Sequence, residues 1–505
     1  MISTLRVAHR DRVRLAEILR VSSRFGLGIL LERLGLEKSS AASHAEADLH
    51  SLPHRTRLAL EELGPTFVKL GQILATRGDL LPAEWIAELE RLHSKAPTLP
   101  FDALRPAMEE ALGDAPESAF ADVDMVPLAA ASMAQVHRAT LKDGRAVVLK
   151  IRRPGIRPRM EADVRLIAQL AAIAEVASVE LRRYAPAAMM RQLAEAVLEE
   201  LDFTNEGRNA DRIRADFAGN WQVVVPTIHW QWTSETLLVM DYVDGIPPRD
   251  GVTLRAAGID PAAIASLGAD IVLDMVLING RFHGDPHPGN LLCLPGDRIA
   301  LLDLGMIGHV SPRRREEFIG FVQALNASDP EHLAKVFAIW SAGSGVPPER
   351  LTIAAERLVQ RHGGGALVLS KLVSDFLPLM RDERLTLPPD LLLIFKALVT
   401  VDGVLTGIEP DFDLSGAMRR CSLRIVQARL SPERLSATVQ SLLWELARIG
   451  DDAPRLVRAA VRRLETIPLE SSSALSGADF RSGTRLIAAA LLASAAAIAL
   501  SIWRS

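Results

Sequence analysis

Residues 283–290 read His-Gly-Asp-Pro-His-Pro-Gly-Asn, and Asp303-Leu-Gly305 begins 13 residues after Asn290. Asp285 and Asn290 stand five apart, and Asp303 adds a second carboxylate. A carboxylate and an amide are hard oxygen donors of the kind Mg²⁺ takes, and a further carboxylate can orient or deprotonate a hydroxyl nucleophile. Phosphoryl transfer from a Mg-nucleotide needs this set, together with a cation for the phosphates. Asp303, after the apolar run Ala300-Leu-Leu302, is a candidate metal ligand, and Asn290 can give the same ion a neutral oxygen. Asp285 is the candidate catalytic group. His283 and His287, four apart, raise metal hydrolysis as a competing chemistry. Pro286 and Pro288 disfavour the helix that would put both imidazoles on one face, and nothing nearby resembles a third ligand.

The phosphate cation must come from an element that can face these groups. Segments 135–141 and 146–151 are strand-like and flank Lys142-Asp143-Gly144-Arg145, a hairpin turn. Lys150 ends the run Val147-Val148-Leu149-Lys150, where it can reach α- and β-phosphates and needs a carboxylate to hold it. Lysine is a sparing choice here, only 8 of 58 basic residues, so Lys150 and Lys69 stand out weakly on that ground alone. Before the hairpin comes Pro127-Leu-Ala129-Ala130-Ala131-Ser132 in place of a glycine-rich phosphate loop. Alanine resists positive φ and keeps phosphate off the backbone, so the lid differs from that of a protein kinase.

Around these pieces the periodicity predicts helices over 12–36 (broken near Gly26 and Gly28), 55–75, 82–93, and from a cap at Asp102 to about 112. Further helices are expected over 159–178, 186–200 and 261–280, and strands over 236–243, 291–294 and 298–302. After 311, where Ser311-Pro312 reads as a helix cap and first turn, the chain is almost all helical. A small β lobe followed by a larger α lobe is the kinase-like arrangement, with nucleotide in the cleft between them. The protein-kinase loop H-R-D-x-x-x-x-N and its D-F-G carry the same spacing as the motif here.

At 505 residues the chain can bury one large core or two to three smaller ones. A formal charge of -4 gives no case for nucleic acid as a partner. Cys293 and Cys421 are too few for a disulfide framework or a zinc site of their own, and read as buried apolar residues. The first 20 residues are charged throughout and lack the apolar core of a secretory signal, while Asp11 and Glu17 argue against a transit peptide. Residues 486–503 carry no charge and are flanked by Arg485 and Arg504. As a helix they span roughly 27 Å, near the thickness of a bilayer core. Ala489, Ala493, Ala497 and Ser501 form a small-residue stripe along them, as membrane helix contacts use. The alternative is a buried or amphipathic helix.

The motif set resembles the UbiB family (the ADCK proteins of animals), atypical kinase-like proteins required for ubiquinone biosynthesis. Lys69-Leu-Gly71-Gln72 matches its K-x-G-Q motif, Ala129 to Ser132 its alanine-rich loop, and Glu200-Leu-Asp202 its E-x-D motif. Glu206 fits the glutamate that pairs with the lobe lysine; Asp402-Gly403 and Pro410-Asp411-Phe412 also resemble family text. The match runs over roughly 15–430. It implies ATP and Mg²⁺ as cofactors, and ATP binding with slow hydrolysis rather than protein phosphorylation. Ala129, Ala130, Ala131, Ser132, Lys150 and Glu206 would then bind ATP, and Asn290 and Asp303 the metal. Lys69 and Gln72, on one helical face, would fold over the cleft, with Lys69 meeting Glu200 and Asp202 as a regulatory gate. The chain departs from the pattern at Leu92-His93-Ser94, where the family often has Leu-Gln-Asp, and in one terminal span where bacterial members commonly have two.

The expected fold is α+β, an atypical protein-kinase-like bilobal fold with extra N-terminal helices and a C-terminal membrane helix. Residues 1–120 form the helical extension, 121–250 an N-lobe with inserted helices, 251–468 a helical C-lobe, 469–485 a linker and 486–503 the span. The resemblance implies a membrane-anchored ATPase supporting quinone biosynthesis; with a tail-proximal span and no signal sequence, the large domain is expected on the cytoplasmic side of the inner membrane. Implied partners are quinone-biosynthesis enzymes or isoprenoid quinone precursors, membrane lipid, and a second copy as homodimer. A small-molecule or lipid kinase, and a nucleotide-binding pseudokinase scaffold, stay open as alternatives.

Overall fold

Among the described residues, every element before Phe120 is helical. The computed structural model describes residues 11–26, 51–75, 81–92, 97–177, 186–284, 286–341, 346–363, 369–383, 388–410 and scattered positions between 385 and 425. The predicted linker and span lie outside the described residues, as does Asp285. Helices α1 (Arg12–Arg24), α2 (Leu52–Leu63), α3 (Pro65–Ala75), α4 (Ala83–Leu89), α5 (Phe101–Leu112) and the single turn α6 (Pro116–Ala119) precede the first strand. The single helix expected over 55–75 is divided. Gly64 takes a φ of 103°, open to glycine, and Pro65 starts the next helix, where its missing N–H costs nothing. Asp102, expected as a cap, sits inside the first turn of α5 behind Pro100, where its charge still suits the helix dipole.

These helices bury their apolar stripes on two that interrupt the β lobe. Ile18, Leu63 and Phe67 pack with Met160, Leu166, Leu193 and Val197, which belong to α7 (Ile156–Ala177) and α8 (Pro186–Glu200). Arg14, almost fully buried, bonds both carboxylate oxygens of Asp163 and the Leu63 carbonyl. This cross-links α1, α2 and α7. Within the extension, α3 lies against Leu89 and Leu92 at Gly71: a Cβ there would sit 2.2 Å from Leu92 Cδ1.

The β lobe is a five-stranded antiparallel sheet. Strands β1 (Phe120–Val123), β3 (Ala134–Leu141), β4 (Ala146–Arg152) and β6 (Leu237–Asp241) follow one another, and β2 (Ala129–Ala130) pairs beside β3. The alanine-rich segment is therefore partly strand rather than all loop. The period-2 alternation of β4 sends Val147, Leu149 and Ile151 into a core with Phe101, Leu104 and Met108 of α5. Val148 and Lys150 face the other way. Between β4 and β6 also comes α9 (Phe203–Asp216), which periodicity did not predict because Thr204, Asn205, Gly207 and Asn209 are poor helix formers. Its start is secured by Asp202, whose side chain accepts from Thr204 N, and its inner face by Phe203, Ala210 and Ile213.

The second lobe contains α10 (Gly251–Ala256), α11 (Pro261–Leu273), α12 (Pro312–Asn326), α13 (Pro330–Trp340), α14 (Pro348–His362), α15 (Leu369–Asp382) and α16 (Pro389–Ile408). Ser311 caps α12 as the sequence predicts, accepting from Arg314 N. The helix expected over 261–280 widens into a π turn over Asp274–Asn279 before Gly280 ends it. Few aromatics occur in the chain, and six of them, Phe318, Phe321, Phe337, Trp340, Phe376 and Phe395, gather in this core with ring centroids 5.2 to 6.5 Å apart. Pro261–Asn279 and Asp390–Ile408 are apolar enough to cross a membrane, but each is more than half buried and serves as core. Cys293 and Cys421 are buried free thiols, each pushed up to about 12 chiefly by burial.

Short strands tie the lobes to the motif. β5 (Val223–Val224), β9 (Arg298–Leu301) and β8 (Leu291–Leu294) make one ribbon, and β7 (Arg281–His283) with β10 (Ile307–His309) another. The hairpin turn between β8 and β9 is the predicted Pro295-Gly296-Asp297, with Gly296 and Asp297 at positive φ.

Candidate functional site

The sheet and the helical lobe enclose a cleft of about 550 Å³. Its floor and roof are the strands just described. Val136 and Val148 descend from β3 and β4, Leu292 rises from β8, and Met240 closes the back. Parallel apolar faces of this kind fit a flat aromatic ring. The chain leaving β6, Asp241 to Val243, forms the outer wall. Asp241 is fixed there by His229 Nε2 at 2.9 Å and by Thr227 N, and Arg138 stacks over the Tyr242 ring at 4.4 Å. Sequence reading missed this wall. Its one visible signal was the apolar run of β6 ending in a polar residue.

Lys150 Nζ lies at the inner end of the cleft. It donates to Glu206 Oε2 at 2.8 Å and Oε1 at 3.0 Å, and stands 3.4 Å from Asp303 Oδ2. Lysine and glutamate stand 56 positions apart, a separation spanned by α7 and α8, which bring α9 back under the sheet. One cation thus faces two carboxylates, and burial decides how they share it. Glu206 is 5% exposed: burial raises it most, Asp303 and Glu200 add to that, and Lys150 offsets only part, so it rises to about 7. Asp303 keeps nearly half its side chain open to the cleft. Removal from bulk water raises it, but Lys150, the Gly305 N–H and His283 outweigh that and hold it down at about 2. Lys150 is held well above the usual lysine range, since the carboxylates more than offset its own burial.

Asn290 and Asp303 are placed side by side by the backbone. Leu302 N donates to the Asn290 carbonyl at 2.9 Å, and Asn290 N to the His287 carbonyl. His287 turns its Nδ1 to accept from Gly289 N, a local loop bond rather than a shared imidazole pair with His283. The oxygen donors of Asn290 and an ionised, half-open Asp303 fit Mg²⁺, which prefers hard ligands and keeps several waters.

Most of the remaining predicted residues line the same cleft. Ala129, Ala131 and Ser132 line the cleft; Ala130 pairs with Gln135 across β3. Lys69 and Gln72 of α3 also line it, and Lys69 Nζ reaches Glu200 Oε2 at 2.7 Å. Asp202 is not the second carboxylate of that pair's geometry: it is committed to α9, accepting from both the N and Oγ1 of Thr204.

Residues 91–337 match the ABC1 atypical kinase-like domain, and 366–413 the UbiB helical domain. The chain is 34% identical over 428 residues to the "Probable protein kinase UbiB" of Xylella fastidiosa (strain M23), covering 82% of this chain and 77% of that protein. It is 34% identical over 475 residues to the protein of the same name from Xanthomonas oryzae pv. oryzae (strain MAFF 311018), covering 89% and 85%. Among solved structures, the complex of Rv3197 with erythromycin from Mycobacterium tuberculosis gives a TM-score of 0.46 at 20% identity, covering 68% of this chain and 89% of that one. With two domain matches inside one chain and a third of residues identical across most of its length, the chain belongs to the UbiB family of atypical kinase-like proteins.

Proposed function

We propose that the cleft binds Mg-ATP and hydrolyses it slowly, in support of ubiquinone biosynthesis at the inner membrane. The observation that carries this is the Lys150–Glu206–Asp303 cluster at the closed end of a cleft with apolar walls. Lys150, steadied by Glu206, would neutralise phosphate oxygens, and Val136, Val148 and Leu292 would sandwich the base. Asp303 and Asn290 would hold Mg²⁺, which, when bound, supplies charge neutralisation on the phosphates. Asp285 would orient the attacking oxygen. Lys69 and Gln72 line the cleft and would restrict access to it, admitting water or a small molecule to the phosphate end and keeping out a folded protein substrate. The UbiB name of its relatives supports the quinone role, and the apolar segment 486–503 supports anchoring in a membrane.

Purified protein given γ-labelled ATP, Mg²⁺ and an isoprenoid phenol should release label as inorganic phosphate. Label on the phenol would instead make this a lipid kinase, and no release would leave a scaffold. In a quinone-deficient strain, the wild-type chain should restore quinone and Asp303→Asn should not, with quinone measured directly. Restoration by both would remove phosphate chemistry from the role.

A further inference from the structure

We propose that Asn209 is a positioning residue that aims the carboxylate of Asp303, and so sets how strongly the cleft prefers metal-complexed over metal-free nucleotide. The inference rests on the cleft being a nucleotide site. Glu206 and Asn209 lie three apart on α9, hence on one face. Glu206 grips Lys150, and one turn on, Asn209 Nδ2 donates to the Leu304 carbonyl at 3.1 Å. Only the amide nitrogen of Asn209 can serve a carbonyl, so the side chain has one productive orientation.

That carbonyl belongs to the peptide unit joining Leu304 to Gly305. The N–H of the same unit, on Gly305, donates to Asp303 Oδ1 at 3.0 Å. The unit is trans, and in a trans peptide C=O and N–H point in opposite directions. Fixing the carbonyl on α9 therefore aims the N–H into the cleft and onto Oδ1, which leaves Oδ2 facing Lys150. A flip of this peptide breaks both bonds together. Leu304, fully buried, resists rotation on one side. Asn209 is the polar group that selects the orientation.

The helix presenting Asn209 is itself anchored on its far side. Trp230 Nε1 donates to Asp211 Oδ2 at 2.7 Å, and Arg214 Nη2 to the Pro226 carbonyl at 2.7 Å. Glu206 and Asn209 are consequently held as a rigid pair, one serving the phosphate cation and the other the metal carboxylate. Loss of Asn209 should leave the lysine end intact and loosen only the metal end.

The test uses the full-length protein in detergent with fluorescent mant-ATP, titrated in Mg²⁺ and again in EDTA. Asn209→Ala should weaken Mg-nucleotide binding about fivefold, the worth of one net hydrogen bond. In EDTA its affinity should stay within about twofold of wild type. Asn209→Asp keeps the size of the side chain but removes the donor and sets charge against the carbonyl; it should lose at least as much in Mg²⁺. Melting temperatures of both variants report folding. If Asn209→Asp binds in Mg²⁺ as wild type does, or if both variants lose affinity equally with and without Mg²⁺, the proposal is overturned. Wild-type protein that binds no nucleotide in either buffer would overturn the proposed function itself, and this inference with it.

Discussion

Lys150 is one cation between two carboxylates, and that inequality makes a sharp demand on pH. Glu206 is raised from its ordinary 4.5 to about 7, so its contribution to stability is fully present below 4.5 and is lost as pH rises through about 7. Removing Lys150 deprives the buried carboxylate of its partner and raises it further. Lys150→Met should therefore cost little at pH 5.5, where Glu206 is protonated, and about 2 kcal/mol more at pH 8.5, since each pH unit above about 7 over which the buried carboxyl keeps its proton costs about 1.4 kcal/mol. Urea denaturation at both pH values checks this; equal losses would mean that another group carries the proton. Lys150, Asn290 and Asp303 were legible in the sequence because each sits at a fixed offset beside a strand signal. Asn209 was not, since its partner is a backbone carbonyl, and such a bond leaves no residue type at the other end to recognise.

The same limit appears one scale up, in the elements. The hairpin around Asp143-Gly144 and the strands beside Pro295-Gly296 were readable because turn chemistry is local. Helix α9 was not, because its polar, glycine-bearing sequence is held by Asp202 and by packing from elsewhere. Helix α3 was half legible: its K-x-G-Q text was plain, but the reason for its glycine emerges only where α3 meets Leu92. Lys69, two residues before that glycine on the same helix, reaches Glu200. If the helix is a gate, two unlike changes should open it. Lys69→Ala removes the 2.7 Å ion pair, and Gly71→Val pushes α3 off Leu92 without touching a charge. Both should change nucleotide affinity at least threefold or give measurable autophosphorylation, and only Gly71→Val should also cost about 1–3 kcal/mol through overpacking. Wild-type affinity with no autophosphorylation in Lys69→Ala would refute gating by this pair.

For the whole molecule the question is where the proposed nucleotide site ends and the proposed membrane attachment begins. Every residue lining the cleft falls between 69 and 306. The core of the helical lobe, however, continues to Cys421. Arg420 bonds Asp270 and Ser266, and Arg424 bonds Asp270 and Asp274, which pins the last described turns onto α11 and its π turn. These contacts stand behind the strand that leads to His283, so they belong to the site's support rather than to its tail. Residues 1–428 also separate as one unit from 429–505. A chain ending at 428 should bind Mg-ATP within about threefold of the full protein, because it keeps every one of these bonds. A chain ending at 415 should melt lower and bind more weakly, since the five charge-assisted hydrogen bonds described from Arg420 and Arg424 are gone. Vesicle flotation separates the other half of the question. The full chain, carrying 486–503, should float with phosphatidylethanolamine–phosphatidylglycerol vesicles in high salt, where apolar insertion persists and surface charge is screened. The chain ending at 428 should stay in the soluble layer. If it floats equally well, attachment comes from the kinase-like unit, and the apolar segment at 486–503 is not the anchor.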